Sequence, residues 1–151
     1  MANGVTLGGP GGVAQFVPPK PLTVKPATID AVHQIVKPYV SPANALDIAH
    51  AVGGSPDGLI LQNNLGDSIV AAPENENLVL HYVTNPATLG QPSIVNQLLG
   101  IARNNGMRYV VGAVPNSATG LNRLYRGLGA APYRQREDGF MLWSYPPRGQ
   151  G

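Results

Sequence analysis

The stretch from Leu78 to Ala130 constrains the fold most, because it reads strand, loop, helix, strand, helix. Leu78–Val83 is an unbroken apolar and aromatic run, as expected of a buried strand. Asn85–Gln91 carries Pro86 and Gly90 and reads as a loop. Pro92–Asn105 has helical spacing, Arg108–Val114 is a second strand run, and Ser117–Leu128 is a second amphipathic helix closed by Gly129. Two strands joined by a helix-length crossover are parallel neighbours in one sheet. A ligand of such a unit is expected where the strands diverge, at their carboxyl ends and beside the helix amino end.

The flanking segments complete the order. Leu22–Pro26 is a short strand. Thr28 is a helix cap, and Ile29, Val32, Ile35 and Val36 share one face of the helix it starts. Pro38 ends that helix. Ser41 with Pro42 starts another, which Gly53-Gly54 closes. Leu59–Leu61 and Ser68–Ala72 flank Asn63–Asp67 as a hairpin, and Tyr133–Arg136 and Phe140–Tyr145 flank Glu137-Asp138-Gly139 as another. The order β-α-α-β-β-β-α-β-α-β-β predicts an α+β domain over 22–145. Its mixed central sheet holds a parallel central pair flanked by helices. Residues 1–21, with Gly8-Gly9-Pro10-Gly11-Gly12 and three further prolines, read as an extended arm. Residues 146–151 read as a short flexible tail.

Composition narrows the function classes. No cysteine is present, which excludes disulfides, thiolate catalysis and cysteine-ligated metal. His33, His50 and His81 lack metal-ligand spacing. No apolar run is long enough for a membrane span, and no signal-peptide pattern is present, so a virion or host-cytoplasmic location is expected rather than export. Charged residues make up 12% of the chain, about half the usual share. Low charge suits a surface covered by other subunits. Charge is also uneven: −3 up to residue 102, and +5 from Arg103 onward, where all seven arginines lie.

The element order and two segments resemble the GNAT acetyltransferase fold. Leu22–Asp30 is similar to that family's opening strand and helix. Leu124-Tyr125-Arg126-Gly127-Leu128-Gly129-Ala130 is similar to the segment at the end of its last helix. The resemblance implies that Tyr125 occupies the position of a general acid that protonates a leaving thiolate. It implies His81, or Glu76, as a base acting through water. It further implies that Leu89, Gly90, Gln91, Ser93 and Ile94, with Arg126, would meet acetyl-CoA if that cofactor binds. In the family a glycine-rich loop of bare amides opens the central helix and holds the diphosphate. Here Gly90, Ser93 and Val95 fall on its three positions in one register, and Gln91, Ile94 and Asn96 in the other. Pro92 removes an amide in both. The family's usual Asn position, relative to Tyr125, holds Ala118, with Asn116 two residues away.

The chain also resembles the GNAT-like internal virion proteins of short-tailed phages, through Tyr109–Gly112, Leu128–Ala130 and Phe140–Trp143. The main expectation is therefore a non-catalytic GNAT-fold subunit of a larger particle, a tailed-phage virion, without a cofactor and contacting neighbouring proteins through residues 1–21. The alternative is an acetyl-CoA-dependent N-acetyltransferase acting on an amine. A third expectation, nucleic-acid association, rests on the arginine-rich carboxyl third.

Overall fold

A computed structural model describes residues 5–7, 14–16 and 22–148. The structure holds nine strands and four α-helices among the described residues. Val5–Leu7 (β1) and Ala14–Phe16 (β2) pair antiparallel; the rest of the expected arm, including Gly8–Gly12, lies outside the described residues. The main sheet comprises Thr23–Pro26 (β3), Leu59–Gln62 (β4), Ser68–Glu74 (β5), Asn77–Val83 (β6), Tyr109–Pro115 (β7), Ala131–Gln135 (β8) and Phe140–Tyr145 (β9). Its spatial order is β3-β4-β5-β6-β7-β9-β8, and β6 with β7 is the parallel pair. The expected mixed α+β architecture is the observed one.

Helices cover both faces. Ile29–Val36 (α1) and Pro42–Gly53 (α2) bury Val32, Val36, Ala45, Ala49 and Val52 against Ile60, Val70 and Ala72. Both amino ends are capped as the sequence requires: Thr28 Oγ1 accepts from the Ala31 amide (3.1 Å) and Ser41 Oγ from the Asn44 amide (3.2 Å). The two helices meet at Gly53, where a β-carbon would lie 2.5 Å from Ile29 Cα, so only glycine permits the approach. Pro92–Asn104 (α3) and Thr119–Gly127 (α4) cover the other face, where Leu61, Ile69, Leu78, Leu80, Ile94, Leu98 and Ala102 form the larger core.

Two local differences from the sequence reading matter for the site. The segment expected as an open loop, Pro86–Gly90, is a 3₁₀ turn that packs on α3 and α4. Residues 146–148, expected as part of the tail, lie on the sheet: the Arg148 guanidinium sits 4.3 Å from the ring centres of both Tyr109 and Tyr133. Residues 149–151 lie outside the described residues.

Candidate functional site

The ladder between β6 and β7 runs from Asn77↔Tyr109 to Leu80↔Gly112 and then stops. Beyond that point β7 continues with β9, while β6 continues with β5. The strands therefore diverge at their carboxyl ends. A bulge accompanies the divergence: Val70 pairs with Tyr82 and Ala71 with Leu80, so His81 has no partner in the β5 register. The extra residue reverses the alternation of β6. Leu78 and Leu80 pack into the α3 core, whereas Tyr82, of the same parity, packs with α1 and α2. A bulge re-aims side chains and leaves backbone polar groups outside the ladder.

A cavity of about 440 Å³ occupies this divergence. Its walls come from β6 (Leu80–Val83), β7 (Ala113, Pro115), the turn (Pro86, Leu89), α4 (Leu121, Tyr125), Phe140 of β9, and Val40, Asn44, Asp47 and Ile48. The volume lies within the range of small-ligand sites, about 300–1,000 Å³. His81 and Tyr125 both line it. Burial holds the His81 imidazole below its ordinary value, with the nearby Glu74 carboxylate pulling the other way. His81 is therefore neutral at pH 7 and able to accept a proton. Burial pushes the Tyr125 phenol up to about 12. It stays protonated in the neutral range and remains a hydrogen-bond donor.

Packing fixes Tyr125. Its ring stacks on Trp143 at a centroid distance of 6.1 Å, and Trp143 Nε1 donates to Asn122 Oδ1 at 2.9 Å. Asn122 Nδ2 in turn donates to the Pro115 and Ala118 carbonyls, tying α4 to the end of β7. The hydroxyl rests over Gly112, where a β-carbon would overlap it and lie 2.7 Å from Cζ. The last residue of β7 that pairs with β6 is thus a glycine because the phenol occupies the space above it.

The remaining sequence candidates separate. Leu89 is 2% exposed, at the core between the turn, α4 and the cavity. Gly90 is exposed at the end of the turn, against Leu124. Gln91 precedes α3 without a side-chain cap bond. Ser93 is exposed, and Ile94 is buried in the core. Arg126 is exposed, with its guanidinium 5.4 Å from the Trp143 ring centre, on the ring that backs Tyr125. Glu76, the other candidate base, lies at the opposite end of β6. It pairs there with Arg108 (3.7 Å) and Arg148 (3.4 Å), so it takes no part in the cavity. Sequence reading missed Asp47 and Asn44, which reach the cavity from α2. It also missed Asp67 of the β4–β5 hairpin. Asp67 Oδ2 accepts from Asn63 Nδ2 (3.1 Å), Asn85 Nδ2 (3.4 Å) and Thr88 Oγ1 (3.4 Å), binding the turn to the hairpin.

The turn decides whether a diphosphate fits. Such a group needs several amides pointing outward at a helix start. The Ala87 amide donates to Asn85 Oδ1, Thr88 to Asn85 O, Gln91 to Thr88 O, and Ile94 and Val95 to Gln91 O. Pro86 and Pro92 have no amide hydrogen. No lysine or arginine occurs between Lys37 and Arg103. The residues present do not fit the diphosphate of acetyl-CoA. Among the described residues no cluster of His, Asp and Glu could hold a metal ion, and no helix is long and apolar enough to cross a membrane.

No family model and no curated protein matches the sequence. Solved structures do match its fold. An IAA acetyltransferase from Bacillus cereus aligns with a TM-score of 0.57 at 11% identity, over 82% of this chain and 97% of that one. An N-acetyltransferase from Staphylococcus aureus aligns at 0.56 and 10% identity, over 82% and 96%. The GNAT domain of S. lividans PAT aligns at 0.54 and 14% identity, over 82% and 89%. The fold is that of the GNAT acetyltransferases.

Proposed function

We propose that this chain transfers an acyl group, acetyl in the simplest case, from a thioester to an amine in the cavity where β6 and β7 diverge. The observation that carries the reading is the meeting of a neutral imidazole and a protonated phenol on the walls of one apolar cavity. The amine nitrogen attacks the thioester carbonyl, the C–N bond forms and the C–S bond breaks. His81, directly or through water, takes the proton that the nitrogen loses. Tyr125 donates its hydrogen bond and proton to the departing sulfur. Backbone polar groups released by the bulge at His81 are available to the carbonyl oxygen as it gains charge. Products are an amide and a free thiol. The acetyltransferase names carried by structures of this fold support the reaction class.

The test is thiol release from acetyl thioesters in the presence of a panel of primary amines, with mass detection of the acylated product. Turnover is expected for the native chain, with Tyr125→Phe and His81→Ala each at least tenfold slower at unchanged fold. Absence of thiol release above buffer from every thioester would sink the reading.

A second reading, a non-catalytic subunit of a larger particle such as a tailed-phage virion, is favoured by the turn. Burial of Thr88 and Leu89 closes the face where a cofactor phosphate would sit. In that reading residues 1–21 contact neighbouring subunits. Its measurement is the assembly state of the full chain against a chain lacking residues 1–21.

A further inference from the structure

We infer that the acyl donor is a thioester of a pantetheine-like thiol, read at its acyl and thiol end alone, and that a nucleotide diphosphate contributes nothing to its recognition. The inference rests on acyl transfer at Tyr125 and names the donor for it. Three independent observations carry it.

The first is the turn. The Ala87, Thr88, Gln91, Ile94 and Val95 amides donate to acceptors within residues 85–91, Pro86 and Pro92 have no amide hydrogen, and Asp67 ties Asn85 and Thr88 to the neighbouring hairpin. Freeing those amides for a phosphate means breaking bonds already made, so little net gain remains. The second is packing. Leu89 fills the space between turn and α4, and beneath it lies a void of only about 20 Å³ bounded by Leu80, Leu98, Tyr125 and Trp143. No ligand-sized space therefore opens beneath Leu89. The third is charge. Among the cavity walls Asp47 is the one formally charged side chain, and it is acidic. Arg136, over Phe140, is paired with Asp138, and the exposed Arg123 and Arg126 of α4 are not among the cavity walls. A polyanion approaching the cavity meets a carboxylate, whereas an uncharged thioester meets apolar walls and two hydrogen-bonding side chains.

The experiment compares three acetyl donors with the full chain and one amine: acetyl-CoA, acetyl-pantetheine and S-acetyl-N-acetylcysteamine. The kcat/KM values for acetyl-CoA and acetyl-pantetheine are expected within about threefold of each other. A preference for acetyl-CoA above about thirtyfold would overturn the inference while leaving acyl transfer intact. A binding arm uses the free thiols. Calorimetry with CoA and with pantetheine should give matching affinities, and adenosine 3′,5′-bisphosphate should not displace either. CoA binding at least tenfold tighter, or binding of neither, would overturn the inference even if no donor is turned over. Asp67→Ala, which unties the turn, is expected to shift the ratio toward acetyl-CoA. Loss of fold in that variant is read separately from its circular dichroism, and the donor comparison on the native chain then decides.

Discussion

Tyr125 and Gly112 form one unit. Because the phenol lies where a β-carbon at 112 would go, Gly112→Ala overpacks a rigid site and should cost about 1–3 kcal/mol. Chemical denaturation of the variant measures this. Activity should fall as well, since the phenol cannot stay in place. Titration gives a second prediction at this scale. Tyr125 has its folded value raised to about 12 against an ordinary value near 10. The unfolded chain therefore ionises first, and stability that is complete below pH 10 is lost as pH rises toward 12. Tyr125→Phe should flatten that alkaline limb in thermal melts across pH. His81 works in the acid direction. With its folded value lowered, the unfolded chain takes up a proton first as pH falls below about 6.5. His81→Ala should remove that acid loss. At residue scale the sequence named Tyr125, through its segment, and His81, and both line the cavity. It did not supply Asp47 or Asn44, because exposed polar residues on a helix carry no mark of which cavity they border.

Among the elements, the turn from Pro86 to Gly90 walls the cavity through Pro86 and Leu89. Its sequence has proline, glycine and a capping asparagine, a composition common to loops. What closes it is distant: Asp67, in a hairpin 18 residues before Asn85, holds both Asn85 and Thr88. Loss of that carboxylate leaves the buried Thr88 hydroxyl without its acceptor. Asp67→Ala is expected to lower stability by about 1–3 kcal/mol and to raise hydrogen-exchange rates selectively at Ala87–Gln91. Uniform exchange change across β6 and α3 instead would show that Asp67 supports the whole sheet end rather than the turn. Caps at Thr28 and Ser41 were legible because their signals are local. The bulge at His81 was not, because it depends on which residue of β5 stands opposite.

The whole molecule was legible in outline. Apolar runs and crossover length gave the parallel pair, and turn chemistry gave the two hairpins; the seating of β3 on β4 and of β9 beside β7, with β8 at the edge, is long-range and carries no local signal. Boundaries moved by a few residues: α4 starts at Thr119 rather than Ser117, and β8 at Ala131 rather than Tyr133. The arginine-rich carboxyl third read as a possible phosphate surface. In the folded chain Arg108 and Arg148 bracket Tyr109, Arg126 covers Trp143 and Arg136 covers Phe140. Charge asymmetry along a chain does not reveal which cations lie over its own aromatic rings.

The odd residue at position 81 is an insertion into the end of β6 that no residue of β5 opposes. Removing that one residue would restore strict alternation and leave Tyr82 against α1 and α2 and Val83 against the α3 core, so the insertion changes neither layer and adds only an imidazole to the cavity wall. One codon thus separates a strand tip that carries a proton acceptor from one that only packs.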